Sequence, residues 1–165
     1  EHIGLAVVVG LAPFLVVLAL FMWPGGRAAL LANVGAVEQT QAELSVYDWP
    51  EWSLQDQVRR AQEVELAPAI NHYMAALVLD STNVTANRRL GQIELSLWEY
   101  ESALAHLQVA YAAAPDGRAT RQMLGEAFAA AGDIGPAVDL WRTVDTSQGQ
   151  LDLRLWLHTH NREEQ

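Results

Sequence analysis

With 165 residues, the chain has room for one ordinary domain and an anchor but not for two full domains. Its net charge of −10 argues against nucleic acid as a partner, since binding phosphates needs clustered Arg and Lys, and against a soluble face lying on anionic lipid. All ten basic residues are Arg, and there is no Cys, which removes disulfides, thiolate metal sites, covalent haem attachment and a cysteine nucleophile.

The stretch from Ile3 to Trp23 runs 21 residues without a charge. At 1.5 Å per residue an α-helix of this length spans about 30 Å, the thickness of the hydrocarbon layer. Gly10 and Pro13 are tolerated within a membrane span, and Trp23 stands where an interfacial aromatic belongs. A signal peptide is the alternative; its apolar core is shorter, and no clean A-x-A site follows. Residues 1–24 are therefore read as a transmembrane anchor, with Pro24-Gly25-Gly26 breaking the helix. Only Arg27 precedes Arg59 on the flank after the span, so the following domain is expected on the extracytoplasmic, periplasmic side.

Residues 25–49 form a juxtamembrane helix and linker. Leu30, Val34, Val37, Gln41 and Leu44 fall at 4-3-4-3 spacing, an apolar stripe over two heptads. The stripe either packs on the chain's own first repeat or offers a surface to a neighbouring subunit's helix. Trp49 and Trp52 lie in the aromatic turn that follows, as plugs for the first repeat or as anchors for a partner.

The rest of the chain repeats. Leu90-Gly91 recurs as Leu124-Gly125, and Ala103, Leu107 and Ala110 recur as Ala137, Trp141 and Val144, each after 34 residues. One step back are Ala69, Tyr73 and Ala76, which predicts repeats over 50–83, 84–117 and 118–151. Small residues let paired helices approach, large ones fill the space between them, and Pro115-Asp116-Gly117 and Gly132-Asp133 turn the chain. With Leu90, Gly91, Tyr100, Ala103, Leu107, Ala110 and Pro115 in the middle segment, and Leu124, Gly125, Phe128, Gly132, Ala137 and Trp141 in the third, the chain resembles the tetratricopeptide repeat (TPR) family. It departs from that pattern where Trp98 replaces Gly, where Ile134 stands for Tyr, and in the first repeat. There the first helix, sought around Trp52 to Glu65, lacks Leu-Gly. Residues 152–165 are left as a C-terminal cap and tail, with a short helix expected although Leu151, Leu153, Leu155 and Leu157 alternate as in a strand. The fold class expected is thus all-α: one transmembrane helix followed by a short TPR-like array of helical hairpins.

Phosphate-loop, dinucleotide, metalloprotease, nucleophile-elbow and EF-hand motifs are absent from the sequence. His158 and His160 form the only close histidine pair, a poor metal site, and Asn83-Val84-Thr85 fits the N-glycosylation pattern at a repeat junction. His72 and His106 stand one repeat apart and read as equivalent positions on exposed faces of second helices. No catalytic, cofactor or metal residue is expected, and no small-molecule substrate. The TPR resemblance implies protein binding on a concave face lined by first helices: Arg88, Gln92, Leu95 and Ser96, then Gln122, Glu126 and Ala129. Arg88 alone cannot form the clamp by which co-chaperone TPRs hold acidic peptide tails. The expected role is an accessory subunit binding other protein subunits in a membrane complex, a build like that of small anchored subunits of bacterial respiratory and photosynthetic electron-transfer assemblies. The alternatives are a transient assembly or secretion factor and a pigment- or metal-binding subunit using His72, His106 or His158.

Overall fold

The computed structural model describes residues 13–19, 23–46 and 64–144. Among them the chain is all-helical, with seven helices and no strand: α1 (Pro13–Ala19), α2 (Pro24–Ser45), α3 (Ala67–Leu79), α4 (Val84–Ser96), α5 (Tyr100–Ala113), α6 (Arg118–Ala131) and α7 (Ile134–Arg142). Trp49, Trp52, His158 and the expected C-terminal cap lie outside the described residues.

Local chemistry sets the helix ends. Pro24 opens α2, because a first-turn residue has no intrahelical use for its N–H and proline's fixed φ suits the position. Asn83 caps α4, its side chain accepting from the Ala86 N–H at 3.0 Å, while its Nδ2-bearing neighbour Asn87 donates back to the carbonyls of Ser81 and Asn83. The glycosylation-like triplet therefore serves as a helix start. Asp80 builds the preceding turn by accepting from both the N–H and the hydroxyl of Thr82.

The two turns inside the later hairpins share one design. At the end of α6, Gly132 takes φ 96°, and the Asp133 N–H reaches back to the Phe128 carbonyl at 2.8 Å. At the end of α4, 34 residues earlier, Trp98 takes φ 64°, and the Glu99 N–H reaches the Glu94 carbonyl at 2.9 Å. Both are left-handed caps that satisfy the last carbonyls. Trp98 adopts this geometry despite its Cβ, a conformation that costs about 1–2 kcal/mol for a non-glycine residue.

The helices pack as three consecutive hairpins, α2 with α3, α4 with α5, and α6 with α7, stacked through α3–α4, α5–α6 and first-helix contacts. A glycine notch on each first helix receives a large side chain from its partner. A Cβ on Gly91 would sit 2.5 Å from Leu107 Cγ, one on Gly125 2.4 Å from Trp141 Nε1, and one on Gly35 2.8 Å from Tyr73 Cε1. Tyr73, Leu107 and Trp141 are all fully buried. The partner of α3 is thus α2. The sequence places a degenerate first helix at Trp52 to Glu65, most of which lies outside the described residues, whereas Tyr73 is received by Gly35, farther upstream.

Candidate partner-binding surface

Helix α2 has two opposed faces. Ala28, Ala32, Gly35, Gln39 and Glu43 are buried against the hairpin. Leu30, Val34, Val37 and Leu44 are 49%, 37%, 56% and 64% exposed. At about 100° per residue, the two sets centre on opposite sides of the helix. Of the two readings open for the apolar stripe, packing on the chain's own first repeat is therefore taken by the other face. Small residues win there because Tyr73 needs the room, and larger ones at 30, 34 or 37 would hold the helices apart.

A buried polar relay fixes α2 in this rotation. The Tyr73 hydroxyl donates to Gln39 Oε1 at 2.7 Å, and Gln39 Nε2 donates to Glu43 Oε1 at 2.8 Å. Gln39 is fully buried, so turning α2 to bury the stripe would strip these groups of their partners, at about 1–3 kcal/mol for each unsatisfied group. Beside the relay, His72 Nδ1 lies 2.7 Å from Glu38 Oε2. The second hairpin repeats this pair, with His106 Nδ1 2.8 Å from Glu94 Oε2. Relative to the notches, the corresponding positions of the third hairpin are Phe128 and Leu140, which pack among its apolar residues. Both histidines are thus equivalent positions, but half-buried bridges between the two helices of a hairpin and not exposed faces.

The hydrogen bond that His106 donates to Glu94 raises the His106 pKa above its ordinary 6.5, against a smaller opposing effect of burial; the Glu94 charge and the Ser102 backbone add to the rise. A histidine whose pKa is raised on folding stabilises the protein fully below the unfolded value, and this contribution is lost as pH climbs through the folded one. Glu94→Gln is expected to lower the melting temperature most below about pH 6.5, with the gap to wild type narrowing at higher pH. A gap independent of pH would show that the pair does not titrate in this way.

The expected concave face is only partly open. Arg88, Gln92, Gln122 and Glu126 are half-buried along α4 and α6. Ser96, by contrast, is 1% exposed and returns its hydroxyl to the Gln92 carbonyl at 2.9 Å. Leu95 packs against the cluster of Leu107, Leu124 and Ala127, and Ala129 is buried beside Trp141. These three are corrected from partner-facing to core: Leu95 and Ala129 follow the notch glycines by four positions and Ser96 by five, on the side that faces the second helix. Burial, then the neighbouring Arg89, lower the Arg88 pKa, so that its charge sits in a poorly solvated place.

Among the described residues, no group of three or more His, Asp or Glu could hold a metal ion. The shallow depression between α2 and the 80–83 turn is lined by Asn33, Asp80, Thr82 and Asn83, and Asp80 and Asn83 already use their side-chain oxygens in the turn and cap. In comparisons with known proteins, no family model and no curated protein matches the chain.

Proposed function

We propose that the chain is a non-catalytic, membrane-anchored protein-binding subunit of a larger membrane complex, a TPR-like stack tethered to the bilayer through residues 3–23. The observation that carries the reading is the apolar stripe of α2, exposed along the helix while the opposite face holds the hairpin together. An apolar surface of this kind, running for four turns and bearing no exposed acidic side chain in a chain of charge −10, is a site for docking. The recurrence of notch and knob through three hairpins supports the TPR-like reading, and such stacks present extended binding surfaces.

The anchor rests on the uncharged run from Ile3 to Trp23, of which 13–19 and 23 are described. Among the described residues no single helix is long and apolar enough to cross a membrane, while α1 and α2 together pass as a bent pair. Phe14 to Leu18 are all exposed, as side chains facing lipid would be. The scarcity of basic residues after the span places the repeats on the extracytoplasmic side in this reading.

Affinity purification through a C-terminal tag, in mild detergent and with quantitative mass spectrometry, tests it. A fixed set of integral membrane partners at constant stoichiometry is expected. Many weak partners in varying amounts would favour a transient assembly factor, and none at all would remove the subunit reading.

A further inference from the structure

The three notches put the hairpins in one register, and that register shows what is missing. Leu30, Val34 and Val37 stand five before, one before and two after Gly35. In α4 the same places around Gly91 are Ala86, Leu90 and Ile93, and in α6 around Gly125 they are Thr120, Leu124 and Ala127. All six are at most 4% exposed, whereas Leu30, Val34 and Val37 are 49%, 37% and 56% exposed. The difference is not in the helix but in what lies on it. Ahead of α4 lies α3, and ahead of α6 lies α5, each the second helix of the preceding hairpin. No described helix lies against the same side of α2.

We propose that this side of α2 receives one α-helix from a different polypeptide, which takes the place of the second helix of a preceding hairpin and completes the stack. The inference rests on the reading of the chain as a protein-binding subunit and names the form of its partner. The fold itself supplies the chemistry of the occupant. The short turns 80–83 and 114–117 make α3 antiparallel to α4 and α5 antiparallel to α6, so the incoming helix runs antiparallel to α2. Ile70 and Leu77 of α3 pack against the cluster holding Ala86, Leu90 and Ile93, and Leu104 and Tyr111 of α5 pack against the one holding Leu124 and Ala127. Each pair is seven residues apart, two turns along one face. The partner helix therefore carries two large apolar residues seven positions apart and is uncharged where it meets Leu30, Val34 and Val37, while the exposed Arg27 stands one turn before Leu30, at the end of the stripe.

A second copy of this chain fits less well. Two-fold pairing would set first helix on first helix, a contact that differs from both examples in the fold, and would join two bodies each of charge −10. A bilayer surface also fits less well, because anionic lipid repels a chain of charge −10.

The test uses the full-length chain in native membranes. A photo-crosslinking amino acid is placed at Val37 and, as a control, at Gln108 on the exposed side of α5. The expected product from Val37 alone is a discrete adduct to one partner protein, mapped by mass spectrometry to an apolar helix with large residues seven apart. Val34→Glu and Val37→Glu are expected to lower recovery of that partner at least about tenfold, because each buries an unpaired charge at the contact. Both sites are exposed, so helicity and melting temperature should hold in the uncomplexed protein, separating a docking loss from unfolding. Adducts to lipid, to a second copy or to another part of the same chain would overturn the proposal. Undiminished recovery of a partner from both variants would overturn it while leaving the protein-binding reading intact. Absence of any partner from the wild type would remove that reading itself.

Discussion

Trp141→Ala is expected to lower the free energy of unfolding by about 3–5 kcal/mol, the range for truncating a fully buried aromatic. The indole is completely enclosed between α6 and α7, in contact with the cluster of Ala129, Ala137 and Phe128. Its Nε1 donates to the Gln122 carbonyl at 3.2 Å, so the substitution also leaves that acceptor to find another donor. Only Ala137 and Trp141 are buried in the nine residues of α7, which makes the ring the main hold of this helix on the stack. Against a total stability of about 5–15 kcal/mol for a domain, the loss is a large share. Stacked hairpins contact mainly their neighbours, so the damage should begin at the third hairpin. Denaturant titration followed by circular dichroism should show an early loss of part of the helical signal, ahead of the main transition. A single transition shifted by less than about 1 kcal/mol would mean that the ring does not hold α7 in place.

Gly125→Ala should destabilise the chain although alanine is the better helix former by about 1 kcal/mol. The new Cβ would lie 2.4 Å from Trp141 Nε1 and 2.7 Å from Cδ1, atoms of a rigid ring with its own hydrogen bond to keep. Either the ring leaves its place or the helices separate, and overpacking of this kind costs about 1–3 kcal/mol. Gly91→Ala meets the same obstacle at Leu107 Cγ, the branch point of the side chain and not its flexible end. Thermal melts of the two variants check the sign. Stabilisation by both would show that the glycines are not there to admit the large side chains.

The second and third hairpins were legible in the sequence because both of their helices are close along the chain. The notch and knob stand 16 positions apart in each, 91 to 107 and 125 to 141, so a fixed period carries both. In the first hairpin they stand 38 apart, 35 to 73, and the longer connection hides the register. The signal was Val34-Gly35, the counterpart of Leu90-Gly91 and Leu124-Gly125, with Glu38 and His72 placed as Glu94 and His106 are. Periodicity finds a repeat only where the spacing is kept; contact does not need the spacing.

The sequence alone determined the helical class, the helix-closing turns after α5 and α6, and the large residues Tyr73, Leu107 and Trp141, because these depend on local propensity and on side-chain volume at a regular interval. Only the tertiary structure decided which face of α2 is used. Both of its faces are apolar enough to be buried, one with Ala28, Ala32 and Gly35, the other with Leu30, Val34 and Val37. Hydrophobicity favours the larger residues, but the hairpin takes the smaller ones, since close approach to Tyr73 and the Gln39 relay outweigh the extra apolar area. What remains outward is therefore the more hydrophobic side, on which no described helix lies.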